Sequence, residues 1–174
     1  MKKCSKCMQT KPKTEFHISK TLKDGCQPHC IACIREYSKT DNYKKAIRKY
    51  QSTTWRGAAN LIRGHMKSNS KRRGHHWDDS WWPVESVLEK IEGRSCAVTG
   101  LPFELKQEQE RHKKRAFIPS PDRLDNSKGY EPDNVQWVVF IYNMMKNNFD
   151  DVDVAHFLQT LKNSEGDYDE HEEH

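Results

Sequence analysis

Apolar positions in this chain come in short periodic stretches separated by long polar runs, and each stretch predicts one element. Residues 34–50 contain no Gly or Pro. Within them Tyr37, Tyr43, Ile47 and Tyr50 recur at helical steps among Lys39, Lys44, Lys45, Arg48 and Lys49. The spacing predicts a loosely amphipathic, basic helix over 34–50. A second helix is expected over 54–67, followed by a basic turn at Asn69-Ser70-Lys71-Arg72-Arg73-Gly74. A third is expected over 79–91, with Pro83 in its first turn and Gly93 at its end. Val84, Val87, Leu88 and Ile91 fall on one face of it, and Trp77, Trp81 and Trp82 are expected to close the core around it.

The pattern then shortens to strand length. Cys96 to Phe103 reads as two short strands turning at Thr99-Gly100, and Phe117 and Ile118 as a strand running into Asp122. Asn126-Ser127-Lys128-Gly129 is a turn, and Val135 to Phe140 is a β-branched, apolar strand. Asn143 and Lys146 lie one helical turn apart on the helix that follows. This order is strand, loop, strand, helix. An Asp on a strand and an Asn on the next helix can converge on one hard divalent cation that prefers oxygen ligands. Asp125 and Asp133 are assigned to turn and cap roles. Asp150 to Leu161 reads as a last helix, and residues 163–174 as a disordered acidic tail.

Charge divides the chain differently. Residues 1–80 hold 19 Lys and Arg against 6 Asp and Glu, a net of +13. Residues 81–149 balance at 10 and 10, and residues 150–174 hold 1 and 9. A basic half points to a polyanion partner, most simply nucleic acid. Lys44, Lys45, Arg48 and Lys49 on the basic helix, with Lys71, Arg72 and Arg73 after the second, are the candidate DNA contacts. Only 34% of the 174 residues are apolar, too few for one large core. No apolar run approaches the ~18 residues of a membrane span, and the start has no apolar signal core. A cytoplasmic protein is expected.

The six cysteines fall at 4, 7, 26, 30, 33 and 96. Cys4-Ser5-Lys6-Cys7 and Cys30-Ile31-Ala32-Cys33 share a two-residue gap, which lets a tight turn aim two thiolates at one ion about 2.3 Å away. Cys4, Cys7, Cys30 and Cys33 are therefore expected to bind structural zinc, joined by a hairpin. Disulfides are disfavoured in a reducing compartment. Cys26 and Cys96 are read as small buried thiols. His75 and His76 follow a basic loop and are expected to bind nothing.

Two runs of residues carry a family likeness. The leader Cys4-x-x-Cys7, Lys11-Pro12, Glu15-Phe16, Lys23-Asp24-Gly25 and Cys30-x-x-Cys33-x-x-Glu36-Tyr37 resembles that of many phage-encoded HNH endonucleases. The run Cys96-x-x-Thr99-Gly100-x-Pro102-Phe103, Pro119-Ser120-x-Asp122-Arg123-x-Asp125, Gly129-Tyr130, Asn134-Val135 and Asn143-x-x-Lys146 resembles the HNH (His-Me finger, ββα-metal) nuclease module itself. Together they span about half the chain. The resemblance implies that Asp122 and Asn143 hold catalytic magnesium or manganese, that Asn134 braces the loop between the strands, and that Lys146 faces phosphate. It further implies DNA products with 5′-phosphate and 3′-hydroxyl ends. The chain departs from most of the family at Arg123, where they carry the general-base His. Arginine, with a pKa above about 12, cannot deprotonate water near neutral pH. Arg123 is expected to clamp the scissile phosphate or to stabilise the pentacovalent transition state. The base is then another group, such as His112 in the polar loop 107–115, or a metal-bound hydroxide.

The reading is an α+β chain: a zinc-binding module at 1–37, a basic helical region at 38–92, an HNH-like ββα-metal module at 93–162 and an acidic tail at 163–174. The resemblance implies a phage HNH endonuclease, a homing enzyme among the options, cutting double-stranded DNA in an infected bacterial cell. A catalytically inactive zinc-containing DNA-binding or transcription-regulatory protein accommodates the same residues, as does a nuclease directed at RNA.

Overall fold

In a computed structural model, residues 1–105 and 115–165 are described. The fold is α+β. The chain divides into two compact units, Met1–Tyr50 and Gln51–His174, each with its own apolar cluster.

In the first unit β1 (Lys2–Lys3) pairs antiparallel with β2 (Thr10–Lys11), and β3 (Phe16–Ile18) with β4 (Cys26–Cys30). The first pairing holds the Cys4–Cys7 turn, which closes through Met8 N–H to the Cys4 carbonyl at 2.9 Å. Met8 takes a left-handed φ of 61° to do so. β4 delivers Cys30 to the start of α1 (Ile31–Lys39), and α2 (Asp41–Thr53) runs across the division between units. The buried apolar cluster is only Cys4, Phe16, Cys26 and Cys30, with Cys33 packed against it. Burial of Cys26 at 7% exposure agrees with its reading as a packed thiol.

One expected helix over 34–50 is in fact two. Thr40 adopts an extended conformation at ψ 146°, and its Oγ1 accepts from Tyr43 N–H at 3.3 Å. The Thr caps the second helix at the cost of the first.

The second unit opens with α3 (Trp55–Arg73), whose N-cap Thr54 accepts from Gly57 N–H at 3.0 Å. The helix runs six residues beyond the expected 67, so residues 69–73 are its last turns and not a loop. It stops at Gly74, φ 74°, the left-handed position that suits glycine. α4 (Val84–Ile91) is shorter than expected, because Pro83 stands as its N-cap and residues 79–82 turn ahead of it. α3 and α4 pack together, and Arg63 pins the turn by donating to the Trp82 carbonyl at 2.6 Å and to Asp79 at 2.6 Å.

β5 (Pro119–Arg123) and β6 (Val135–Val139) form an antiparallel hairpin in which Asp122 lies opposite Gln136 and Arg123 opposite Val135. Phe117 and Ile118 sit in the turn before it and not in the strand. β6 passes without a break into α5 (Phe140–Lys146), giving a ββα unit. Val138 and Val139 are both fully buried, which consecutive strand residues achieve only when both faces are covered. α3 and α5 both pack on β5, and Trp82 closes over the hairpin loop through Nε1–H to the Tyr130 carbonyl at 2.7 Å. α6 (Asp151–Glu165) packs on α5. It carries residues 163–165, expected to be tail, as helix. Residues 166–174 lie outside the described residues.

Candidate functional site

Two groups of side chains stand out, one in each unit. In the first, the four thiols of Cys4, Cys7, Cys30 and Cys33 all lie within 4.8 Å of one another. Cys4 and Cys33 sulfurs are 3.9 Å apart, and Cys7 and Cys30 sulfurs 4.0 Å. Four sulfurs at about 2.3 Å from a tetrahedral ion are about 3.8 Å from each other, so the cage fits zinc. The Cys30 amide donates to Cys4 Sγ at 3.3 Å. Burial pushes the Cys4 thiol up, but backbone N–H groups of Cys30, Cys7 and Lys6 outweigh it and bring it down to about 5. Cys33 is pushed up to about 12 by burial and by the three neighbouring sulfurs. Without a cation, then, the cage favours thiolate at one corner and thiol at another. A zinc ion held by the four sulfurs would remove that conflict by ionising all of them.

In the second unit, Asp122 at the end of β5 and Asn143 on α5 line one cavity of about 310 Å³, together with Arg73, Arg123, Asn126 and Tyr130. Asn143 Nδ2 donates to Ser120 Oγ at 2.9 Å and to the Pro121 carbonyl at 3.2 Å. This fixes the amide against β5. Asp122 Oδ2 accepts from Lys146 Nζ at 2.8 Å and Gln136 Nε2 at 2.9 Å. Among the described residues, Asp122 Oδ1 and Asn143 Oδ1 carry no hydrogen bond. A carboxylate and an amide lining one cavity could hold a magnesium-like ion, which takes few protein ligands and keeps water or substrate phosphate on the rest.

Lys146, expected to face phosphate, is 2% exposed, and Asp122 and Asp151 both hold it, Asp151 Oδ1 at 3.2 Å. Burial lowers the Lys146 pKa, but the two carboxylates prevail and raise it above the lysine norm. Asp151 also accepts from Tyr142 Oη at 2.5 Å and from Gln136 Nε2 at 3.0 Å. Burial and that carboxylate together keep the Tyr142 phenol protonated well above its usual range.

Arg123 Nη1 donates to the carbonyls of Lys128 at 2.7 Å and Asn126 at 3.1 Å, and its Nη2 to Asn126 Oδ1 at 3.1 Å. A guanidinium only donates, so His75 Nε2, 3.2 Å from Nη1, accepts from it. The Arg is 5% exposed and holds the 126–128 turn while lining the cavity. Asn134 works on the same loop: its Oδ1 accepts from Asp125 N–H at 2.9 Å, and its Nδ2 donates to the Asp125 and Gly129 carbonyls at 3.0 and 2.9 Å. Asp125 caps the turn through Ser127 N–H at 2.8 Å.

Lys44, Lys45, Arg48 and Lys49 are exposed on α2, and Lys71, Arg72 and Arg73 at the end of α3. Of these, Arg73 lines the Asp122 cavity. Sequence reasoning missed Gln136, Tyr142, Asp151 and His75. Nothing in their local pattern marks them, since each acts through a partner distant along the chain or across the hairpin. His112 lies outside the described residues.

No family model and no curated protein matches the chain. Among solved structures, it is similar over 94% of its length to the rare-cutting HNH restriction endonuclease PacI, with 95% of that chain covered, 16% identity and a TM-score of 0.41.

Proposed function

We propose that this chain is a metal-dependent DNA endonuclease of the HNH type that hydrolyses phosphodiester bonds in double-stranded DNA. One observation carries the reading: Asp122 and Asn143, on the strand and helix of a ββα unit, line a single polar cavity. A divalent ion bound there supplies Lewis-acid stabilisation of charge developing on the phosphate and the leaving oxygen. The protein's part is to hold the two ligand groups. Ser120 Oγ and the Pro121 carbonyl orient Asn143. Gln136 and Lys146 orient Asp122. Arg123 and Asn134 keep the hairpin loop from collapsing into the cavity. The four-cysteine zinc site is structural. Lys44, Lys45, Arg48 and Lys49, with Lys71, Arg72 and Arg73, supply phosphate contacts that hold the duplex without reading its sequence. A phage origin belongs to this reading through the leader and module motifs, with a homing role one option beside a packaging or host-directed one.

Incubation of the full chain with plasmid DNA and magnesium tests it, with a sequence-matched RNA alongside. Cleavage of DNA that disappears in Asp122→Ala and Asn143→Ala supports the proposal, and an inert parent sinks it. The buried Lys146 ammonium on Asp122 favours a second reading, a DNA-binding protein whose site no longer cuts. That reading predicts retention of DNA in a gel shift with no magnesium-stimulated strand breaks.

A further inference from the structure

Phosphodiester hydrolysis builds negative charge on the phosphate, and a side-chain cation facing it would add to what a divalent ion supplies in a site otherwise lined by a carboxylate and amides. Arg123 and Lys146 are the cations that the motif offers, and both are buried and tied within the protein. Arg123 lines the cavity but gives Nη1 and Nη2 to Asn126, Lys128 and His75, and Lys146 is enclosed by Asp122 and Asp151.

Arg73 remains. It is exposed, lines the same cavity as Asp122 and Asn143, and its side chain makes no ion pair or hydrogen bond among the described residues. Its backbone is held in place. Gly74 N–H donates to the Lys71 carbonyl at 3.3 Å and His75 N–H to the Ser70 carbonyl at 2.9 Å, so the last turn of α3 is closed. Ser70, fully buried, seats that turn, and His75 immediately after it touches Arg123 in the hairpin loop. Successive helix residues point about 100° apart, so Arg72 and Lys71 look elsewhere from the same turn, and neither lines the cavity. A guanidinium suits this task because its planar fork matches two phosphate oxygens.

We propose that Arg73 is the catalytic cation of the site, donating to the non-bridging oxygens of the scissile phosphate. The assignment rests on the nuclease reading and deepens it. It separates Arg73 from the basic residues beside it, which bind the duplex at other phosphates.

The test uses the full chain and a double-stranded oligonucleotide in magnesium, with kcat and KM measured for the parent, Arg73→Ala, Arg73→Lys and Arg72→Ala. DNA affinity is measured separately in calcium by gel shift, and folding by thermal melt. Arg73→Ala is expected to lower kcat by about 10²–10³-fold, the effect of removing one charge-stabilising donor from a transition state. Its affinity for DNA in calcium should fall no further than that of Arg72→Ala. Arg73→Lys should recover part of kcat, and Arg72→Ala should act chiefly on KM. The assignment is overturned if the parent cuts and Arg73→Ala and Arg72→Ala lose kcat equally. It is overturned too if Arg73→Ala acts on KM alone. A folded parent that does not cut at all removes the nuclease reading itself, a distinct outcome.

Discussion

Lys146 Nζ donates to Asp122 Oδ2 at 2.8 Å with both side chains at most 5% exposed. Asp151 holds the same ammonium from α6, so one lysine ties the C-terminal end of α5 to β5 and to the next helix. Removing it leaves Asp122 buried without its partner, and breaking a buried pair costs about 3–5 kcal/mol. Lys146→Met is expected to lose about that much stability in urea unfolding. Asp122→Asn with Lys146→Met should lose less than the two single changes added, since the double variant leaves no uncompensated charge at their contact. Additive losses in a double-mutant cycle would show that the pair is not coupled.

The first unit has four buried apolar residues, three of them cysteines, and that core cannot hold 50 residues folded. Zinc binding is then folding free energy. A strong chelator is expected to release zinc in stoichiometric amount and to abolish the circular dichroism of this unit. The melting of the second unit should persist. Cys30→Ala should copy the chelated state, because it removes one of the four sulfurs of the cage. A first unit that stays ordered in chelator would refute the zinc assignment.

The α+β class and the strand–strand–helix order were legible because they rest on local pattern. Val135 to Val139 is β-branched and apolar, and Asn143 and Lys146 sit at helical spacing directly after it. The paired cysteines were legible for the same reason, as spacing within a turn. What escaped depends on partners far along the chain. No local feature shows that Asp151 captures Lys146 or that His75 meets Arg123, so both cations were read as free to bind phosphate. Two boundaries moved through capping. Thr40 was hidden in a run with no Gly or Pro, and the basic residues 71–73 read as a loop although Gly74 was a ready helix stop.

Asn134 makes three hydrogen bonds to the backbone of the loop joining β5 and β6. Its side chain is buried, so truncation leaves the Asp125 amide and the Asp125 and Gly129 carbonyls without their partner. Each such loss costs about 1–3 kcal/mol where water cannot enter. Asn134→Ala is expected to destabilise the second unit by at least that amount. Backbone amide exchange should rise at Asp125 well before it rises in β6. Uniform exchange across both would show that Asn134 does not brace the loop.

Asp79 supplies the pH dependence. Lys67, at 2.7 Å, and Trp77 Nε1–H, at 3.0 Å, hold its carboxylate and bring its pKa from the ordinary 3.8 to about 2, with Arg63 adding a further pull. A carboxylate whose folded pKa is depressed contributes stability above its unfolded pKa and loses it as pH falls through the folded value. This contribution is therefore full at neutral pH and fades between about pH 4 and pH 2. Because Asp79 is exposed, the gain is screened and small. Asp79→Asn should lower the melting temperature at pH 7 and in high salt narrow its gap from the parent. The two proteins should converge as the pH approaches 2. An undiminished gap at that pH would mean that Asp79 acts through neutral hydrogen bonds to Trp77 and not through its charge.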